Sequence, residues 1–168
     1  VNWGNAIDID ETDWVINACP ASGTSSTVME DGTLISAYMS APNGSRVYWS
    51  SVDLSAFTFL ETGQIDPDNT SSENHPSISS SGDWLVAAWE RNSGGYNVMV
   101  AVSDAGPQAL EMSVVSVTEG LSGHNRYPSV VYDGEYIHLA YQNAENGVVH
   151  YLKGEISGTS QVVGVEIE

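Results

Sequence analysis

Three arginines, Arg46, Arg91 and Arg126, stand out in a chain of 168 residues that holds 22 Asp plus Glu against 4 Lys plus Arg, a formal net charge of −18. A guanidinium is a planar fork of donors that grips a carboxylate or sulfate through two bonds. Arginines gathered in an otherwise negative protein therefore mark a candidate site for an anionic group. His75 and Glu90 fall at or beside the same loops as the arginines, and Tyr127 sits inside Arg126-Tyr127-Pro128. A second constellation, Asp66-Pro-Asp68-Asn-Thr-Ser-Ser-Glu73, puts three carboxylates within eight residues. These are hard oxygen ligands suited to Ca²⁺, but the central Gly of a helix-flanked calcium loop is missing, and the stretch also reads as an ordinary polar loop. His75, His124, His138 and His150 lack zinc-site pairing. No Gly-rich phosphate loop or nucleophile elbow occurs, and no cofactor is implied.

The charge balance excludes whole classes of partner. A surface this negative repels phosphate backbones and anionic headgroups, so neither nucleic acid nor a membrane is an expected partner. With 41% hydrophobic residues, five Trp and eight Tyr, the chain is too apolar for a disordered acidic tail and is read as one domain over residues 1–168. Abundant Ser and Gly beside a single Lys point to a secreted, extracellular or periplasmic β protein. Cys19 has no partner for an internal disulfide and reads as a small buried side chain.

The elements that would position these residues repeat. Val47, Val98 and Val149 are spaced by 51 and 51, as are Asp53, Asp104 and Glu155, while Ala37, Ala88 and Ala140 follow at 51 and 52. The turns Asp31-Gly32, Ser81-Gly82 and Asp133-Gly134 precede them in step. Each unit reads as four short strands joined by Gly-containing turns; the repeats cover about 26–62, 75–118 and 127–168, with 1–25 an outer strand and linker. In the middle unit the strands are expected at Ser77 to Ser79, Trp84 to Glu90, Asn97 to Ser103 and Leu110 to Val117. Four antiparallel strands per repeat of this length define a propeller blade. The expected fold is all-β, with three four-stranded antiparallel repeats.

Three blades do not close a ring, since known propellers use roughly four to eight. The expectation is a homodimer whose second chain completes a ring of about six blades. Asp13 to Asn17 would be a spare outer strand seeking an edge, and Gln161 to Ile167 an outer strand at the other end.

Ser51-Val-Asp53-Leu-Ser55 resembles the Asp-box of the sialidase-like propellers, and Asp104-Ala-Gly106 and Lys153-Gly-Glu155 resemble it more loosely. The resemblance covers nearly the whole chain as repeats. It implies that Asp53, Asp104 and Glu155 are structural turn residues, remote from a ligand face built by the loops between blades and between second and third strands. It also implies that Arg46, Arg91, Arg126, Tyr127, Glu90 and His75 share that face, with Arg126-Tyr127-Pro128 similar to the Arg-Ile-Pro motif of sialidases. In that family a Tyr nucleophile works with a Glu, for which Tyr127 with Glu73 or Glu119 could be named. No spacing assigns a catalytic residue.

The leading functional reading is thus a non-catalytic recognition module binding a glycan or an extracellular protein. A sialidase-like glycoside hydrolase completed by a second subunit and a purely structural assembly piece are the alternatives.

Overall fold

The computed structural model describes residues 4–16 and 22–157, and the backbone of 161–166. It has three four-stranded antiparallel sheets, each built from consecutive strands. Blade 1 holds β1 (Ser25–Val28), β2 (Thr33–Ser40), β3 (Arg46–Asp53) and β4 (Thr58–Gln64). Blade 2 holds β5 (Ser72–Ser81), β6 (Trp84–Asn92), β7 (Tyr96–Ser103) and β8 (Val115–Ser116). Blade 3 holds β9 (Asn125–Tyr132), β10 (Tyr136–Asn143), β11 (Val149–Ser157) and β12 (Gln161–Glu166).

The register read from sequence recurs in the pairing. Ala37 faces Trp49, Ala88 faces Val100, and Ala140 faces Tyr151. The three turns that open the blades need a left-handed residue, and Gly32, Gly82 and Gly134 supply it at φ 86°, 57° and 101°.

Alternation along the strands gives each blade two faces, and consecutive blades bury them against each other. Ile35, Ala37 and Trp49 of blade 1 meet Ile78, Leu85 and Trp89 of blade 2. Val86, Ala88 and Val100 of blade 2 meet Val130, Leu139 and Tyr141 of blade 3. The first strands lie innermost, with β5 packed against both β1 and β9. Their outward edges are satisfied across blades by serines: the backbone N–H of Ile78 donates to Ser25 Oγ, that of Val130 to Ser77 Oγ and that of Tyr132 to Ser79 Oγ, each at 3.0 Å. An edge that would otherwise offer free donors is thereby closed.

Several expectations are corrected. Leu110 to Val117 is not one strand: a short 3-10 helix spans Pro107–Ser113, and only Val115–Ser116 pairs with β7. Pro107 sets the first helical φ, and Leu110 and Ser113, three apart, are buried while Met112 is 83% exposed. Glu155 is not a turn residue, because β11 runs through it, opposite Tyr136 and Val163. Asp13 to Ile16 form no strand, and Asn17 lies outside the described residues, as do Cys19 and Ile167.

The N-terminal segment lies instead across the outer face of blade 1. Thr12 Oγ1 bonds Ser40 Oγ, and Gly4, Asn5 and Ala6 line a pocket with Phe57. Tyr38 and Tyr48 stack on this face and are 5% and 8% exposed. Burial, with Asp10 and Glu11 nearby, pushes the Tyr38 phenol up to about 12. No helix among the described residues is long and apolar enough to cross a membrane.

Candidate functional site

Two features at one edge of the blades set the site. The inner strands β5 and β9 each carry a bulge at an X–Pro step, between Asn74 and Ser77 and at the matching place opposite Ala140 and Gln142. His75 and Tyr127, the residues before the two prolines, adopt left-handed φ of 48° and 56°. A non-glycine residue held there is strained by about 1–3 kcal/mol, and such strain persists where surrounding structure enforces it. The two bulges bring the rings together, with centroids 4.7 Å apart and edge to face.

Beneath them lies Glu90, 1% exposed. Arg126 grips it through both arms, Nε to Oε2 at 3.0 Å and NH2 to Oε1 at 2.8 Å. The Tyr127 backbone N–H reaches Oε2 at 3.4 Å, and His75 Nδ1 lies 2.9 Å from Oε1. Burial alone would raise this carboxyl, but the bonds from Arg126 and His75 outweigh it and hold Glu90 below the usual carboxylate range. The guanidinium in turn stacks on two rings, 4.0 Å from the Tyr96 centroid and 4.8 Å from that of Tyr127. Tyr96 continues the row to His124, centroids 5.5 Å apart. Tyr127 is 44% exposed, so the row opens to solvent.

Arg91, the next residue on β6, points to the other side of the sheet and enters a different cluster. There Glu73, 1% exposed, accepts from Trp89 Nε1 and Asn69 Nδ2 at 2.9 Å and from Val47 N at 3.3 Å. Arg46 NH2 and Arg91 Nε stand 3.6 and 3.5 Å from its oxygens. Arg91 also pairs with Asp66, and Arg46 donates to the Ser71 and Asp66 carbonyls. Burial pushes the Glu73 carboxyl up against the pull of Arg46.

These contacts bear on two expectations. Asp66 and Glu73 are turned to arginines and Asp68 is exposed, and no group of three metal-ligating side chains occurs among the described residues. Arg46 and Arg91 are engaged in the knot between blades 1 and 2, with side chains 7% and 19% exposed. Two donors of Arg126, Nε and NH2, are on Glu90, and its side chain is 22% exposed.

The turn residues lie at the other end of the strands. Asp53 accepts from Ser55 N, Ser55 Oγ and Ala56 N at 2.8, 2.7 and 3.2 Å and fixes the β3–β4 turn. Asp104 lines a cleft there with Glu30, Asp31, Glu61 and Asp83, and the turn bond itself falls to Ser103 Oγ, which accepts from Ala105 N at 3.0 Å. Tyr96 and His124 were not singled out from sequence as site residues; their one signal is that both border loops of the face that carries Arg126.

Sheets, blade stacking and inner-strand contacts define a propeller-type fold, and comparison with solved structures agrees. The chain is similar to the GH43 endo-arabinanase from Bacillus licheniformis (TM-score 0.53, 10% identity, 82% of this chain and 55% of that one). It is similar to an exo-1,5-α-L-arabinanase from a bovine ruminal metagenomic library (TM-score 0.52, 14% identity, 92% and 59%). It also resembles Zg3597, a family 117 glycoside hydrolase of the marine bacterium Zobellia galactanivorans (TM-score 0.50, 13% identity, 83% and 54%). These neighbours are five-bladed propellers. The chain spans 54 to 61% of the length of such structures. No protein-family model and no curated protein matches it.

Proposed function

We propose that the chain is a carbohydrate-recognition propeller module, binding a neutral glycan along the row His75, Tyr127, Arg126, Tyr96. The observation that carries this is the pair of strained X–Pro bulges at equivalent positions of adjacent inner strands, which aim two rings over one buried ion pair. A partly exposed row of rings, opened to solvent at Tyr127, over a fixed polar base suits the C–H faces and hydroxyls of a sugar. An anionic sugar is disfavoured because each of the three arginines already faces a carboxylate of the protein. The glycoside hydrolases among the structural neighbours support the ligand class, and the arabinanases among them make 1,5-α-L-arabinan the first probe.

Recognition without turnover is the reading favoured here. A general acid needs a raised pKa and access to the glycosidic oxygen. Glu90 is depressed and surrounded by donors, whereas Glu73 is raised but sealed in the interblade knot. The sialidase-like ancestry suggested by Asp53 and an extracellular location belong to the same proposal. The test is calorimetric titration of arabino-oligosaccharides beside a reducing-sugar assay. Binding that weakens at least about tenfold in Tyr127→Ala, with no sugar release, supports the module. Release of reducing ends that disappears in Arg126→Ala overturns the non-catalytic reading, and no binding to any neutral glycan overturns the site.

A further inference from the structure

We infer that His75 is the specificity-determining residue of the glycan site, an acceptor that selects ligands presenting a free hydroxyl to it, an assignment that rests on the reading of that site given above. The ring has a fixed place. The His75 N–H reaches Ser22 Oγ at 3.1 Å and Asn74 Oδ1 at 2.9 Å, Pro76 follows, and φ is held at 48°. The imidazole meets Tyr127 edge to face, centroids 4.7 Å apart, with its side chain 17% exposed.

Which nitrogen faces a ligand follows from Glu90. That carboxyl is buried, bound by two nitrogens of Arg126 and held below the usual range, so it is ionised and can only accept. Nδ1 stands 2.9 Å from Glu90 Oε1, and two lone pairs at that separation would repel, so Nδ1 carries the ring proton. The approach makes no aligned hydrogen bond, and the charge of Glu90 rather than bond geometry sets the tautomer. In the neutral ring Nε2 is then an acceptor. The polar contacts of His75 among the described residues are its backbone bonds and the approach to Glu90, and none of them reaches Nε2.

The polarity of this one atom chooses the ligand. A hydroxyl can donate to Nε2, whereas a carboxylate, ether or ester oxygen brings only lone pairs and leaves both groups unpaired. Tyr127, 44% exposed, supplies the apolar surface for the C–H face of the same sugar. A sugar methylated or acetylated at that hydroxyl keeps its C–H face and loses the donor. The ligand class is therefore a neutral glycan with an unsubstituted hydroxyl beside its stacked face. The charged and titratable groups around His75 are Glu90 from β6 and Arg126 and Tyr127 from β9, while Glu73 on its own strand is turned to Arg46 and Arg91. Glu90 and Arg126 balance each other, so a second proton on the imidazole is what changes the site, and it replaces the acceptor by a donor.

The experiment titrates an arabino-oligosaccharide and its O-methylated form calorimetrically into the chain, into His75→Phe and into His124→Gln, at about pH 8 and about pH 5. At the higher pH the chain should bind the free sugar at least about tenfold more tightly than the methylated one. His75→Phe, which keeps a ring against Tyr127, should lose most of that preference. Binding of the free sugar should weaken in acid in the chain and in His124→Gln, and not in His75→Phe. Long-range nitrogen–proton NMR of the unliganded chain reads the tautomer without any ligand or variant, and the proton is expected on Nδ1. A proton on Nε2, equal binding of the two sugars by the chain, or a preference that survives in His75→Phe overturns the role of His75 and leaves the glycan site standing. No binding of either sugar at either pH overturns the site itself, and the role of His75 with it.

Discussion

Blades 1 and 2 meet at their upper ends around a carboxylate, and blades 2 and 3 meet at the same place around an amide. Glu73 pairs with Arg91 across β5 and β6, and Asn125 pairs with Asn143 across β9 and β10. Arg46 of the first interface becomes Asn97 in the second, and Trp89 becomes Tyr141. The backbone arrangement is shared: Val47 N donates to Glu73 Oε2, and Val98 N donates to Thr118 Oγ1. In the charged version five protein groups converge on Glu73. In the neutral version Asn143 and Thr118 bond locally, to Ser122 O and Asn97 Oδ1; among the described residues Asn125 Nδ2 has no hydrogen-bond partner, and neither do Arg46 Nε and Arg91 Nε in the charged version. One frame therefore accepts either solution, and which is stronger depends on how the desolvation of a buried charge is offset.

Truncation separates the two most sharply. Glu73→Ala leaves Arg46, Arg91 and the Trp89 N–H facing a void, and breaking a buried pair in this way costs about 3–5 kcal/mol. Asn125→Ala removes a buried amide whose Nδ2 has no hydrogen-bond partner among the described residues, and the expected loss is about 1 kcal/mol. Urea unfolding of both variants measures the difference, and equal losses would mean that the charge in the first knot contributes nothing of its own.

The acid dependence sharpens a second contrast, between the two sides of β6. Glu90 is held below its ordinary 4.5, so its stabilisation is present above that value and is lost as pH falls through the depressed folded value. Glu73 is pushed above 4.5 by burial, so its contribution is complete below 4.5 and declines as pH rises through the raised value. Glu90→Gln should flatten the acid limb of a midpoint-against-pH curve, while Glu73→Gln should remove a decline on the neutral side. Curves that shift in the same direction would show that the two carboxylates are not separated by the sheet as described.

The comparison also shows what a sequence can carry. The period of 51 to 52 and the Gly turns were legible because they are local: a left-handed turn needs Gly, and a two-sided strand needs alternation. Leu110 to Val117 was misread because an apolar run does not reveal whether its buried residues recur at two or at three. Glu155 was misread because the turn chemistry of Asp53 is lost with the longer side chain, and the strand simply continues. The arginines were visible as an anomaly of charge, but their partners were not, since Arg91 and Glu90 are neighbours that part to opposite faces. Glu73 stood out as a calcium ligand or as a carboxylate beside Tyr127, and its place between two arginines needed the crossing of β5, β6 and β3 in space. His75 and Tyr127 carried one local clue, a proline after each, whose meaning depends on both being on inner strands.

The smallest expected effect concerns single serines, and it distinguishes two chemically identical side chains by position alone. Ser77→Ala removes the acceptor of the Val130 N–H in the blade 2–3 interface and leaves that donor in a partly buried edge, for a loss of about 1 kcal/mol. Ser129→Ala at the equivalent place in blade 3 removes a hydroxyl open to water, and surface changes of this kind stay within about 0.5 kcal/mol. Because both residues sit on inner strands with the same neighbours in sequence register, propensity differences cancel between them and the interblade bond is what remains. Amide exchange adds a site-specific reading: Val130 should exchange faster in Ser77→Ala, while Ser129→Ala leaves every described interblade amide as it was. Equal stability losses from the two substitutions would trace the effect to strand propensity, and the serine bonds would then be incidental to how the blades are joined.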